Sequence, residues 1–214
     1  MRRIVKQGYE QGDYSAAFQR YGPPSEMERH YLDRLLVLGP RAPKILDLGC
    51  GTGLPVDKYL ADRGAQLMGI DISPKHVALA KGNLPAASYR EGDILHAVLP
   101  EGAFDGIVSV YAIFHIPRSE HETLFTRINR LLRPNGLFLA TLGTSDSAYG
   151  EEANWAGARM AWSSYDAETY RRLLAAAGFN VIESAFEGQA GEVEHHFWVL
   201  ARKSSPSAGD AKNP

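Results

Sequence analysis

Apolar residues recur along this chain in two alternating modes, short continuous runs and helical stripes, and the alternation predicts the elements in order. Ser25 to Glu28 is a capping box opening a helix with Met27, Tyr31, Leu35 and Leu38 on one stripe, stopped at Gly39-Pro40. Ile45, Leu46 and Leu48 are too short a run for a helix and suit a strand covered on both faces. Val56 to Arg63 reads as a short helix ended by Gly64, and Gln66 to Asp71 as the next strand, a βαβ unit with parallel strands. Pro74 to Lys81 is a second helix, Tyr89 to Asp93 a third strand end and Phe104 to Tyr111 a fourth strand. Ser119 to Glu122 reads as another capping box, opening a helix with Leu124, Phe125, Ile128, Leu131 and Leu132 at helical spacing. Arg133 to Gly136 is a turn and Leu137 to Leu142 a fifth strand.

The ending breaks the alternation. Asp166 caps a helix running to Gly178, and the runs Val181 to Phe186 and His196 to Ala201 are joined by residues 187–194. So short a connection permits only an antiparallel hairpin. The pattern predicts an α/β fold: a doubly wound, mostly parallel sheet with helices on both faces and an antiparallel C-terminal hairpin.

The strand at Ile45 feeds the stretch Lys-Ile-Leu-Asp-Leu-Gly-Cys-Gly-Thr-Gly from Lys44 to Gly53. Glycine at alternate positions lets the backbone turn sharply and a ligand lie against bare amides, with the Asp47 carboxylate beneath. The dinucleotide fingerprint asks for glycine where Leu54 stands, and no Gly-Lys-Ser/Thr follows for a P-loop. Asp71 ends the second strand about twenty residues past the glycines, where open α/β sheets place a ribose-binding acid.

The pattern Asp-x-Gly-x-Gly-x-Gly resembles the class I S-adenosylmethionine-dependent methyltransferases, of small-molecule, bacterial-like type, over roughly residues 25–203. That resemblance implies a Rossmann-like seven-stranded sheet, its last strand inserted antiparallel. It implies S-adenosyl-L-methionine as cofactor, held by Asp47, Gly49, Cys50, Gly51, Gly53, Asp71, Ile72, Asp93, Ile94, Val110 and Tyr111. In it Asp93 accepts from the adenine amino group beside Ile94, and the Val110 backbone meets the methionine part. Cys50 fills a variable position of the loop.

His115, just beyond the fourth strand, lies where ligands of such sheets bind, and is the candidate catalytic residue, orienting substrate or taking a proton. Tyr14 and Tyr21 are candidates to fold over the sulfonium, whose charge favours an aromatic face. Residues 143–164 are too long for a simple loop and carry Trp155, Met160 and Trp162, which marks a lid, with the two tryptophans as substrate contacts. His195 and His196 alternate across a strand and cannot share a metal, and no metal is expected.

Composition narrows the partners. With 44% hydrophobic and 22% charged residues, neither disorder nor a membrane protein is indicated. A net charge of -2 without a basic stripe argues against nucleic acid and anionic membranes. After the fourth strand the chain reads Ser-Val-Tyr-Ala at 109–112, not the Asn/Asp-Pro-Pro-Tyr/Phe of base-amino methyltransferases, and the Pro-Cys nucleophile of cytosine C5 enzymes is missing. A small-molecule acceptor is therefore expected. The single Cys50 and the lack of an apolar run after Met-Arg-Arg point to the cytoplasm.

The expected organisation is an arm over 1–24, a methyltransferase domain over 25–203 and a disordered tail over 204–214. The expected activity is methyl transfer to an oxygen, nitrogen or sulfur. An NAD(P)-dependent oxidoreductase and a non-catalytic S-adenosylmethionine-binding protein are the alternatives, and the acceptor atom and oligomeric state stay open.

Overall fold

Strand β1 (Lys44–Leu48) lies between two parallel neighbours, β2 (Gln66–Asp71) and β4 (Phe104–Ser109). Covered on both faces, it is buried from Ile45 to Leu48 without alternation. β3 (Ser88–Glu91) extends the sheet beyond β2, and β5 (Leu132–Leu142) extends it beyond β4, both parallel. β9 (His196–Lys203) then runs antiparallel between β5 and β8 (Phe179–Glu187). The order is β3-β2-β1-β4-β5-β9-β8. This is the expected Rossmann-like seven-stranded sheet with its antiparallel C-terminal hairpin. The chain is described from a computed structural model that covers residues 1–12, 22–188 and 196–204. The tail expected to be disordered lies, beyond Ser204, outside the described residues.

Period-two alternation along the strands splits the core in two. Leu46, Ile107, Phe138 and Val199 face one cluster with α5 (His121–Leu131) and α6 (Ala167–Ala176). Ile45, Val108, Leu139 and Trp198 face the other, with α2 (Glu26–Leu38) and α3 (Val56–Ala61). Trp198 stacks on Tyr31 there, ring centroids 5.2 Å apart. α4 (Pro74–Asn83) completes the β2–β3 crossover, with the Ser73 side chain accepting from the His76 amide.

Several boundaries differ from the pattern. The Ser25 capping box forms as expected, but the one expected at Ser119 does not. A 3-10 turn spans Arg118–Glu120 and takes up Ser119, so α5 starts at His121 with Glu120 at its N-cap, no side-chain cap, and Glu122 already inside the first helical turn. β3 ends at Glu91, leaving Asp93 in the following turn, where it accepts from the Leu95 amide. β4 ends at Ser109, so Val110 and Tyr111 lie beyond it. The turn expected at Arg133 to Gly136 is a looped-out segment inside β5. Phe104 pairs with Leu132 and Gly106 with Leu137, and Asn135 takes a positive φ of 63°.

Two parts were not anticipated as regular structure. Residues 147–164 form a two-stranded sheet of β6 (Ser147–Trp155) and β7 (Ala158–Ser164). It turns at Ala156-Gly157, both with positive φ, as tight hairpins require. Within the N-terminal arm, α1 (Arg2–Gln11) is a helix lying against β7 and α4. Gly8 permits that approach, since a Cβ there would fall 2.6 Å from the Arg159 carbonyl and 2.7 Å from the Met160 methyl. No helix of the described residues is long and apolar enough to cross a membrane.

Candidate active site

At the C-terminal edge of β1 the chain bends away through the glycine loop and is tied to β2. Gly49 and Cys50 donate their amides to the Ile70 carbonyl at 2.8 and 3.1 Å. Gly51 donates its amide to Asp71 Oδ2 at 2.9 Å. Two glycines are required here. Gly49 sits at φ 88°, and a Cβ on it would fall 2.4 Å from the Cβ of Ala112, so the loop abuts the segment after β4. Gly51 sits at φ 53° with open space where its side chain would be, leaving bare backbone facing outward.

Asp71 closes β2 almost completely buried. Its other oxygen accepts from the Ser73 amide at 2.9 Å, and His76 Nδ1 lies 3.9 Å away. Burial raises its pKa, while His76 and the amides of Ser73, Gly51 and Ile72 oppose the rise.

Below the loop lies a second acidic group. Asp57 of α3 is fully buried, accepts from the Tyr89 hydroxyl at 2.8 Å and hydrogen-bonds Asp47. Burial pushes its carboxyl up to about 7, against the lowering pull of those two hydrogen bonds. The two buried carboxyls lie together beneath the loop, and burial favours the protonated form of Asp57.

A cleft of about 710 Å3, its mouth included, opens above Gly51. Of the expected residues it gathers Gly49, Gly51, Asp71, Ile72, Asp93, Ile94, Val110, Tyr111 and His115 along its walls. Asp47, Cys50 and Gly53 are not among its lining. Asp47, expected beneath the ligand, lies buried under the loop and hydrogen-bonds Asp57. Cys50 packs with Val77, Ala80 and Tyr89, and a Cβ on Gly53 would meet the Tyr89 hydroxyl at 2.9 Å. Burial pushes the Cys50 thiol well up, so it is not a thiolate.

His115 ends a 3-10 turn over Ile113–His115 and is buried. Its Nδ1 lies 2.9 Å from the Ala161 carbonyl of β7, which can only accept, so Nδ1 carries the proton and Nε2 is an acceptor. Burial lowers its pKa to about 4. It is therefore neutral at physiological pH and holds a proton poorly.

The sequence pattern missed the wall contributed by α1. Arg2, Val5 and Tyr9 line the cleft. Arg2 bridges the carboxylates of Asp93 and Glu120, so Asp93 is already engaged by a guanidinium. Tyr9 packs between His76, His115 and Trp155, at centroid distances of 5.1, 5.4 and 5.9 Å. Val5 and Tyr9, four apart, were the helical signal available. Tyr14 and Tyr21, expected to cover the sulfonium, lie outside the described residues. Trp155 reaches the cleft through Tyr9 and His115, whereas Trp162 packs onto Gly150 across the hairpin and stays out of the lining. Among the described residues, no group of three or more His, Cys, Asp or Glu side chains gathers as a metal site.

A sheet of this order, with a glycine loop after β1 and an acid closing β2, defines the class I S-adenosylmethionine-dependent methyltransferase fold. Residues 46–140 match a family model described as a methyltransferase domain. An uncharacterized methyltransferase of Synechocystis sp. is 36% identical over 95 residues, covering 44% of this chain and 44% of that protein, so the match spans under half its length. An uncharacterized methyltransferase of Bacillus mycoides is 29% identical over 82% of this chain and 84% of its own. Among solved structures, the 1,6-didemethyltoxoflavin-N1-methyltransferase of Burkholderia thailandensis, with 1,6-didemethyltoxoflavin and S-adenosylhomocysteine bound, superposes with a TM-score of 0.66. It is 24% identical and covers 84% of this chain and 79% of that one, a likeness of fold. The chain thus has the class I S-adenosylmethionine-dependent methyltransferase fold and is similar to a methyltransferase domain over residues 46–140.

Two outcomes follow. Asp71→Ala should weaken S-adenosylmethionine binding about tenfold or more, since one charge-assisted hydrogen bond is worth roughly 1.5–3 kcal/mol and a factor of ten about 1.4. Calorimetry on the folded variant checks this, and unchanged affinity would place the cofactor elsewhere. The Asp57 carboxyl keeps in the fold a proton that the unfolded chain releases above 3.8. The native state thus binds more protons between about pH 4 and 7, and stability should fall as pH rises through that window. Asp57→Asn should flatten the decline in melting temperature, and an unaltered slope would show that the pair does not titrate there.

Proposed function

We propose that this protein transfers the methyl of S-adenosylmethionine to an oxygen, nitrogen or sulfur of a small molecule. The observation that carries the reading is the cleft itself. Bare backbone at Gly51 and the Asp71 carboxylate stand at one end, and apolar and aromatic walls with a neutral histidine at the other. Mostly apolar lining with few convergent polar groups is the usual composition of a small-molecule site. The Burkholderia thailandensis neighbour, solved with 1,6-didemethyltoxoflavin bound, supports a small-molecule acceptor here.

When bound, S-adenosylmethionine supplies an electrophilic methyl on a sulfonium, already a good leaving group. The protein's task is therefore chiefly positioning and exclusion of water. Asp71 and the Gly51 backbone would hold the nucleoside part, with Ile72 and Ile94 as apolar contacts. Tyr9 and Tyr111 present aromatic faces suited to a cation. His115 Nε2 would accept a hydrogen bond from the acceptor and orient it. We assign residues 25–203 to the catalytic domain and the arm 1–24 with residues 143–164 to its lid. α1 is held over the cleft by Arg2, by the 2.7 Å contact of Lys6 with Glu91, and by Gly8 against β7. The free, buried Cys50 supports a reducing compartment such as the cytoplasm.

Release of S-adenosylhomocysteine over a panel of phenols, amines and thiols tests this reading, with turnover above the acceptor-free rate expected for one class. Trp155→Ala should lower that turnover roughly 2- to 10-fold, the worth of an aromatic contact, with S-adenosylmethionine affinity unchanged. Cofactor binding without turnover on any class would favour the non-catalytic alternative.

A further inference from the structure

The one lysine or arginine among the described residues lining the cleft is Arg2, in the first turn of α1. A cation at that end of a helix opposes the macrodipole, so α1 gains nothing from it locally. Its partners lie on other elements. Arg2 Nε donates to Asp93 Oδ2, while Nη1, at 2.8 Å, and Nη2 donate to the two oxygens of Glu120. Asp93 belongs to the lining and Glu120 does not, so one carboxylate anchors the guanidinium and the other shares the cleft wall with it.

A guanidinium is planar and carries its five N–H donors in a fixed fork. With Glu120 taking one hydrogen from each terminal nitrogen and Asp93 the one on Nε, the other Nη2 hydrogen points parallel to Nε–H, on the side of Asp93. Asp93 keeps acceptor capacity as well. Its Oδ1 accepts from the Leu95 amide at 2.8 Å and its Oδ2 from Arg2, against about four lone-pair sites on a carboxylate. The wall therefore presents an acceptor and a donor side by side. The edge of adenine carries the complementary order, an amino group that donates beside a ring nitrogen that accepts, whereas a 6-oxo purine would set an oxygen against the carboxylate. Seating the helix does not by itself call for a fork at this place. Lys6 meets Glu91 at 2.7 Å, Lys75 Nζ lies 3.3 and 3.2 Å from the Glu10 and Gly12 carbonyls at the other end of α1, and Val5 is buried.

We propose that Arg2 is a cofactor-binding residue: its guanidinium, oriented by Glu120, donates to the adenine ring nitrogen next to the amino group that Asp93 accepts from, so that the N-terminal helix itself reads the base. This rests on the methyl-transfer reading above. Asp93 alone recognises an amino group. Arg2 adds the neighbouring acceptor and makes the pair specific for an adenine edge, with both groups held in place by ion pairing before the ligand arrives.

Calorimetry on the full-length protein decides it, with S-adenosylhomocysteine and its 1-deaza and 7-deaza analogues, in which CH replaces one of the ring nitrogens flanking the amino-bearing carbon. One of the two analogues should bind the wild type about tenfold more weakly than the parent, as expected for a lost charge-assisted hydrogen bond. Arg2→Ala should weaken the parent by a similar factor and no longer distinguish it from that analogue. Lys6→Ala, which loosens the same helix without touching the fork, should keep the discrimination. Both analogues binding the wild type as tightly as the parent would overturn the proposal, and so would a penalty that survives Arg2→Ala. Loss of the penalty in Lys6→Ala would overturn it too, since the seat of the helix and not the guanidinium would then be responsible. Each comparison is a ratio of affinities on one protein, so lowered stability does not disturb it. Should Arg2→Ala not fold, Arg2→Leu, which keeps the apolar stem and lacks the donors, takes its place with the same outcome expected. Failure of S-adenosylhomocysteine itself to bind would overturn the methyl-transfer reading and this proposal together.

Discussion

The hydrogen bond from the Gly51 amide to Asp71 is the constraint on which the site depends. It joins the loop leaving β1 to the last residue of β2, so the two strand edges are held as one surface. Everything beneath serves that contact. Gly49 lets the loop press against Ala112, and the Asp57 carboxyl with Tyr89 and Asp47 supports it from below. Buried carboxyls are costly unless hydrogen-bonded, and here the Tyr89 hydroxyl meets one oxygen of Asp57 while its Oδ1 stays without a hydrogen-bond partner. The glycine loop is thus stiff by construction, a backbone surface whose shape is set before a ligand arrives.

The other wall comes from elements distant in sequence. α1 crosses the cleft because Arg2 reaches both Asp93 and Glu120 and because Gly8 has no side chain to hold β7 away. Partly exposed ion pairs are individually weak, so the helix owes its seat as much to Val5 and Tyr9, which bury apolar surface against the site. A ligand that reaches Asp93 must share that carboxylate with Arg2. The cleft wall and the seat of the N-terminal helix therefore use one group.

Strand directions were legible because they follow from local rules, whereas the insertion of the last strand was read from the family resemblance. Continuous apolar runs such as Ile45 to Leu48 meant a doubly covered strand, and the short 187–194 connection forced an antiparallel partner. Gly51, Asp71 and His115 were legible because each sits at a strand end, the one place where a parallel sheet gathers residues from separate crossovers. What could not be read was contact between side chains far apart in the chain. Asp47 hydrogen-bonds Asp57 and stays out of the cleft's lining, and Arg2 joins the carboxylates of Asp93 and Glu120. Tyr9 stands among the aromatic rings of the cleft, where Tyr14 and Tyr21 had been expected to serve. The β6–β7 turn lacked a strong signature, since Ala156 is an unusual residue at positive φ.

A crystal structure with S-adenosylhomocysteine bound tests the central claim most directly, that the surface formed by Gly51 and Asp71 is a nucleoside cradle. Density for the ribose against the Asp71 carboxylate, with the adenine toward Ile72 and Ile94 and the sulfur toward Tyr111, is the expected result. Density at any other edge of the sheet, or a ribose out of reach of Asp71, would contradict it.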